Sequence, residues 1–202
     1  MKEVETSSFD YSNSISTTGS ANYYAITTAA DVSTSCPQIT YGPVPAGFSL
    51  ESGGKYSVIE IANWFLSKSD MTHKKLQKLC YYAQAWNYAI KGFRLIDTDF
   101  QAWIHGPVSP ILYEKFKGFG YDVIKLVNKN STLICAEDIP LLEDVWETYG
   151  DLTGNALEAL THREFPWISA RKGYLPDERC SVVISPESMV SFYKSIYIGS
   201  GE

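Results

Sequence analysis

The chain has 202 residues, of which 23 are acidic and 17 are lysine or arginine, and its formal net charge is −6. A hydrophobic fraction of 45% suffices for the core of one domain of ordinary size. Nucleic-acid binding needs clustered basic residues, so we do not expect it here. We find no run of 18 apolar residues and no basic, then apolar, N-terminal leader. The sequence therefore predicts a cytoplasmic protein without a membrane span or signal peptide.

Residues 1–54 differ in composition from the rest of the chain. They hold 17 serine or threonine residues and one basic residue, Lys2. Such a segment cannot bury enough apolar surface to offset its conformational entropy, so we predict a flexible N-terminal extension. Its apolar and aromatic positions could also dock on the domain or add a strand to a sheet edge. These positions are Tyr23, Tyr24, Ile26 and residues 39–44. The folded domain is predicted over 55–202.

Two helices are predicted at the start of this domain. Apolar residues near a 3.6-residue period predict the first over 56–68. The second is predicted over 73–91, with Thr72 as its N-cap and Gly92 just after its end. Its apolar stripe, which we expect to be buried, consists of Leu76, Leu79, Cys80, Ala83, Trp86 and Ile90.

Short extended segments follow the second helix. Residues 99–105 alternate as a strand does, and Gly106-Pro107 is predicted to break it. Ser109 and Pro110 predict a helix start, and Gly118 its end. Residues 120–137 alternate loosely around the polar sequence NKNS, which predicts a β-hairpin.

The remaining elements are predicted to be helical. Asp138 and Pro140 begin one helix, and Thr153 caps a short helix that ends near residue 160. Pro166 begins a further turn, and Ser185 with Pro186 begins the last helix. The prediction is a mainly α, single compact domain of about six to seven helices with a minor β element.

The cysteines indicate neither a disulfide nor a zinc site. Cys36, Cys80, Cys135 and Cys180 form no C-x-x-C pair and have no histidine at zinc-ligand spacing. We also find no glycine-rich phosphate loop or metalloprotease motif. We therefore predict no metal and no cofactor.

An enzymatic function is the weaker hypothesis. His73, His105 and His162 could in principle supply a base for a cysteine nucleophile. Cys80 belongs to the predicted buried stripe, however, and no acidic pair stands out as an acid–base couple. We expect a protein that is not an enzyme and has no catalytic residues.

Three short strings mix apolar residues with polar ones that a core does not require. They are KLQKLCYYAQAW at 75–86, QAWIHGPVSP at 101–110 and ALTHREFPW at 159–167. On the helix that contains the first string, helical geometry predicts that Lys74, Lys78 and Tyr81 or Tyr82 point away from the apolar stripe. We expect the lysines to be solvated and the tyrosines to pack at the domain edge.

The other two strings have structural interpretations as well. His105 is expected to fix the Gly-Pro turn by a hydrogen bond to a loop carbonyl, although a rigid recognition loop is the alternative. His162 is expected at a helix C-terminus, where it caps carbonyl groups. Arg163 and Glu164 are expected to be solvated, and Trp167 to lie in the core.

In this order, the three strings resemble the Panacea domain, the family of SocA-type antitoxins and phage-associated GepA-like proteins. The resemblance covers about residues 56–195. The residues that carry it are Leu76, Gln77, Lys78, Leu79, Tyr81, Ala102, Trp103, His105, Gly106, Pro107, Val108, Leu160, Thr161, His162, Pro166 and Trp167, together with Lys75 and Ala83.

The resemblance implies a helical antitoxin of a type II toxin–antitoxin pair, of the kind found in prophages and phage defence. Its partner would be a cognate protein toxin encoded by the adjacent gene and neutralised by direct binding. A variant role is a proteolytic adaptor that delivers a toxin to a ClpXP-type protease. A histidine-dependent enzyme is the third hypothesis, and the family pattern implies no catalytic residues.

We predict one contact surface for such a partner. Its candidate residues are Tyr82, Trp103, His105, Val108, His162 and Arg171.

Overall fold

The computed structural model describes residues 53–125 and 134–197. Several predictions fall outside these ranges: the N-terminal extension up to residue 52 with Cys36, the NKNS turn at 128–131, and the last five residues.

Seven α-helices and four short strands make up the described part of the chain. The helices are α1 (Val58–Lys68), α2 (His73–Lys91), α3 (Pro110–Phe116), α4 (Ile139–Tyr149), α5 (Gly154–Thr161), α6 (Phe165–Ala170) and α7 (Pro186–Ile196). The strands are β1 (Met71–Thr72), β2 (Gln101–Trp103), β3 (Gly106–Val108) and β4 (Val123–Ile124). The predicted mainly α class with a minor β component is confirmed.

Side-chain caps begin most of these helices. The hydroxyl groups of Thr72, Ser109, Thr153 and Ser185 each accept a hydrogen bond from a backbone N–H of the first turn, at the predicted helix starts. Ser57 adds a capping box at α1, which begins two residues later than predicted.

Helix α2 is the centre of the domain, because α1, α4, α5 and α7 all pack against it. Every residue from Leu76 to Ala89 is buried, so the expected one-sided stripe is wrong. Lys78, Tyr81 and Tyr82, expected at the surface, are at most 1% exposed. Ile90, expected in the core, is 39% exposed near the end of the helix. A helix that is surrounded on all sides buries its polar face along with its apolar one.

Strands β2 and β3 form an antiparallel hairpin in which Ala102 pairs with Pro107. Gly106 and Pro107 therefore lie within a strand, and the prediction that they end the extended segment is wrong. Gly106 has φ of +92°, a value that glycine adopts without strain. The other edge of β2 contacts the segment before α7, where the Ala102 N–H donates to the Val182 carbonyl (2.9 Å).

The second sheet departs from the hairpin predicted over 120–137. Val123 and Ile124 do form a strand, but they pair antiparallel with Thr72 and Met71 of β1. Helix α3 also ends earlier than predicted, at Phe116, and a 3₁₀ turn over Lys117–Phe119 follows it. Within the described part of the chain, none of the helices combines the length and apolar composition that crossing a bilayer requires.

Candidate interaction cleft and the motifs that build it

Gln77 fastens the β2–β3 hairpin to the central helix. Its Nε2 donates to the Ser109 carbonyl (3.1 Å), and its Oε1 accepts from the Ser109 N–H (2.9 Å). An amide side chain carries one acceptor and a donor group, so it can bind both backbone groups of one residue as a neighbouring strand would. Gln77 thus supplies hydrogen bonds just beyond the end of β3 that no strand provides in the described chain.

Gln77 also sets the protonation state of His73, one helical turn earlier. The Gln77 Nε2 lies 3.1 Å from the His73 Nε2. Since Nε2 of the amide is a donor, the ring nitrogen must accept, which requires a neutral imidazole with its proton on Nδ1. Burial lowers the pKa of His73, in agreement with a neutral ring.

Lys78 makes the second contact between α2 and the hairpin. Its ammonium group donates to the Pro107 carbonyl (3.0 Å) and its side chain is fully buried. Burial lowers the pKa of Lys78 to about 7. A Cβ on Gly106 would lie 2.7 Å from the Lys78 Cε and 2.8 Å from the Thr161 Oγ1. Because Gly106 has no side chain, the hairpin can lie directly against Lys78 of the first string and Thr161 of the third string.

The third string, together with Arg171 at the end of α6, holds the other side of the hairpin. The Trp167 indole donates to the Trp103 carbonyl (3.0 Å), and the Arg171 guanidinium donates to the Ala102 carbonyl (2.9 Å). His162 stacks on Trp167 with ring centroids 4.0 Å apart. Trp167 is half-buried against the core. The motif residues thus serve mainly to fix the hairpin between α2 and α6.

His162 occupies the predicted position but makes different contacts. It is the C-cap residue of α5. Its pKa is lowered, chiefly by burial and against the attraction of Glu158 and a hydrogen bond to the backbone of Ile104. The expected capping of helix carbonyls is thus replaced by a contact with the β2–β3 turn, because the hairpin lies against the end of α5.

Glu164, which was expected to be solvated, is 6% exposed. Its carboxylate accepts hydrogen bonds from the hydroxyls of Tyr82 (3.1 Å) and Tyr193 (2.8 Å). Tyr82 in turn stacks on Tyr149, with ring centroids 3.8 Å apart. Burial raises the pKa of Glu164 to about 7. The prediction failed because α7 and α2 close over this side chain.

His105 is exposed and pairs with a carboxylate rather than with a loop carbonyl, so the expected turn-fixing bond is wrong. Its Nδ1 lies 2.8 Å from Glu158, whose other oxygen accepts from Lys74 (2.5 Å). Burial would raise the pKa of Glu158, but these two hydrogen bonds outweigh it and hold the pKa below its ordinary value. His105, Glu158 and Lys74 together connect the β2–β3 turn to α5 and α2.

An open cleft of about 960 Å³ lies beside this hairpin. Helix α2, the hairpin, α3, the start of α5 and residues 179–181 line it. Three of the six predicted contact residues, Trp103, His105 and Val108, face this cleft.

The other three predicted contact residues lie elsewhere. Tyr82 and Arg171 are buried by neighbouring elements, and His162 is half-buried under the hairpin. The structure therefore does not bring all six residues to one surface.

Sequence patterns did not identify several residues of the cleft. Tyr113, Tyr121 and Arg179 line it, and Tyr121 is 96% exposed. These residues come from three separate segments and belong to none of the strings. An exposed arginine or tyrosine is ordinary in a sequence, so no local signal marked them.

One acidic and thiol cluster in the described chain has the spacing of metal ligands but a poor environment for a cation. Cys135, Glu137 and Asp138 offer ligand atoms within 4.8 Å of one another. The Asp138 carboxylate, however, already contacts the ammonium groups of Lys55 and Lys91, both at 2.7 Å. Two adjacent positive charges disfavour a bound metal ion.

Cys80 has properties opposite to those of a nucleophile. It is completely buried, and burial raises the pKa of its thiol well above the ordinary value. A reactive cysteine needs a lowered pKa and access to substrate.

The fold and the packing of the motifs define a small, mainly α-helical domain whose motif residues hold a β-hairpin on a central buried helix. Residues 76–168 match the family model of the antitoxin SocA-like Panacea domain. The chain is also 30% identical to the antitoxin SocA of Caulobacter vibrioides (strain NA1000 / CB15N) over 124 residues. That alignment covers 53% of this chain and 66% of the antitoxin. The chain matches no solved structure.

Proposed function

We propose that this protein is an antitoxin that neutralises a protein toxin by binding it directly. The observation that carries the proposal is the 30% identity to an antitoxin over 124 residues. The family match over residues 76–168 supports it, because that range holds the second and third strings and all of the first string except Lys75. The packing supports it, because most motif residues are structural and surround a cleft rather than a catalytic centre. The toxin would be encoded by the adjacent gene of a type II pair, and both proteins would act in the cytoplasm.

Co-expression with the product of the adjacent gene tests this function. The neighbour alone should arrest growth, and the full chain should restore it and copurify with the neighbour. An empty vector and an unrelated acidic protein of similar size serve as controls. A harmless neighbour, or a toxic one that the chain neither binds nor neutralises, would contradict the proposal.

The same assay separates sequestration from the adaptor hypothesis. For a sequestering antitoxin, the half-life of the toxin should be unchanged in a host without its ClpXP-type protease, and growth should still be restored. Rescue that requires the protease, with a toxin that disappears faster when the chain is present, would establish the adaptor role instead.

A further inference from the structure

The described residues that line the cleft beside the hairpin differ in charge from the chain as a whole. Five basic residues line the cleft, and none of its described lining residues is aspartate or glutamate; the five are His73, Lys74, Lys78, His105 and Arg179. His73 is neutral and the pKa of Lys78 is about 7, so the positive charge comes mainly from Lys74 and Arg179, with Glu158 paired to Lys74 and His105 at the edge. The chain as a whole has a net charge of −6. The positive charge of Lys74 and Arg179 favours an anionic ligand in the cleft.

Two of these cations are placed to meet such a ligand. Lys74 lies on α2 with its side chain 29% exposed, and its ammonium group is shared with Glu158 and Asn155. Arg179 is exposed in a separate segment, and no residue in the described ranges forms an ion pair or hydrogen bond with it. Arg179 is therefore the cleft cation whose charge is least compensated.

The walls of the cleft add an apolar and aromatic component. Trp103 and Tyr113 lie with ring centroids 5.0 Å apart, and Val108 and Tyr121 continue the surface. Tryptophan, tyrosine and arginine are the residues that most often dominate binding energy at protein interfaces. A volume of about 960 Å³ accommodates several residues of a peptide segment.

We propose that this cleft binds an acidic segment of the partner protein. A carboxylate side chain of that segment pairs with Arg179 and Lys74, and an adjacent apolar or aromatic side chain packs on Trp103 and Tyr113. The identification of the ligand as a protein segment rests on the proposed antitoxin function. A nucleic acid fits less well, because two exposed cations cannot neutralise a series of phosphates on an acidic protein.

Nuclear magnetic resonance titration of the full chain tests the proposal without a toxin. The probes are the peptide acetyl-Glu-Leu-Tyr-Glu-amide, its neutral counterpart acetyl-Gln-Leu-Tyr-Gln-amide and a ten-nucleotide oligouridine. We expect the acidic peptide to shift the amide signals of residues 101–108 and 179–181, with an affinity at least tenfold higher than that of the neutral peptide. R179Q and K74Q should each weaken it at least fivefold, whereas K194Q, at an exposed lysine of α7, should leave it within twofold.

Several results would overturn the proposal. They are the absence of shifts at 5 mM acidic peptide, equal affinity for the neutral peptide, an equal loss in K194Q, or tighter binding of the oligouridine at these residues. Since no toxin is present, such a failure leaves the co-expression result unaffected. Conversely, a chain that fails to neutralise its neighbour but binds the acidic peptide refutes only the antitoxin function.

Discussion

Lys78 and Glu164 are ionisable side chains that the fold removes almost completely from water. Lys78 donates to a backbone carbonyl and Glu164 accepts from two tyrosine hydroxyls. Within residues 53–125 and 134–197, neither has an oppositely charged partner in contact. Burial disfavours the charged form of each, which brings both pKa values to about 7 from opposite directions. The free energy of unfolding must therefore depend on pH through these two residues.

Glu164→Gln should remove a loss of stability that occurs between about pH 4.5 and 7. In this range the folded protein binds the Glu164 proton more tightly than the unfolded chain, because burial raises the pKa to about 7. Wild type therefore loses stability as the pH rises, by up to about 1.4 kcal/mol per pH unit relative to the variant. Urea unfolding at pH 5, 6 and 7 measures the difference, and parallel curves for the two proteins would contradict it.

Lys78→Met should change the pH dependence of the free energy of unfolding above pH 7. The folded-state pKa of about 7 lies below the ordinary 10.5, so the unfolded chain binds this proton more tightly above pH 7. Wild type should gain about 2 kcal/mol relative to the variant between pH 7 and 8.5. Unfolding free energies at those two pH values provide the check. An unchanged difference would mean that Lys78 is charged in the folded protein.

At the scale of elements, side chains rather than long strands hold the β2–β3 hairpin. Gln77 and Lys78 of α2 bind residues just beyond and within β3, while Trp167 and Arg171 bind the carbonyls of β2. A hairpin whose two strands have three residues each is only marginally stable by itself in water. The contacts with α2 and α6 therefore determine its position. The position of the hairpin in turn determines the shape of the cleft beside it.

Gly106→Ala should destabilise the protein much more than Gly173→Ala. The two glycines have nearly equal φ values, +92° and +93°, so both variants pay a backbone strain of about 1–2 kcal/mol. Only at Gly106 would the new Cβ also meet other atoms, within 3 Å of Lys78 and Thr161. We expect an additional loss of about 2 kcal/mol there, of the size that overpacking causes.

Thermal and urea unfolding of both glycine variants measures this difference. Similar losses for the two would show that the hairpin moves away from α2 without cost, and that the close approach has no role in stability.

For the whole molecule, the Asp138 carboxylate joins three parts of the chain that are distant in sequence. It accepts from Tyr56 (2.7 Å) before α1 and pairs with Lys91 at the end of α2, while itself preceding α4. Burial would raise the pKa of Asp138, but the hydrogen bonds from Lys55, Lys91 and Tyr56 outweigh it and hold the pKa at about 2. The free energy of unfolding at acidic pH therefore depends in part on Asp138, as it does on Glu158, whose pKa is also lowered.

Asp138→Asn should lower stability at pH 7 by about 2–4 kcal/mol, because two lysines lose a buried partner. The folded-state pKa lies below the ordinary 3.8, so the wild-type contribution is present above pH 4 and is lost as the pH falls toward 2. The variant should lose less stability over that range. Glu143→Gln, which removes a half-exposed partner of Lys68, is the matched control and should change little. Equal effects of the two substitutions would contradict the assignment.

How far the sequence predicted the structure depends on the range of the interaction involved. Helix starts at Thr72, Ser109, Thr153 and Ser185 were predicted correctly, since capping involves residues within one turn. The pairing of β4 with β1 was not predicted, because these two segments lie about 50 residues apart in the sequence.

The order of the three strings was enough, by itself, to predict the resemblance to the Panacea domain, whose family model matches residues 76–168. Local sequence also determined the helices and the mainly α class, because hydrophobic period, caps and prolines act over a few residues. Only the tertiary structure decided that Lys78 and Glu164 are buried and that a cleft lined by basic and aromatic residues lies beside the hairpin. Burial and local charge depend on which distant segments meet around α2, and the pattern of one segment does not contain that information.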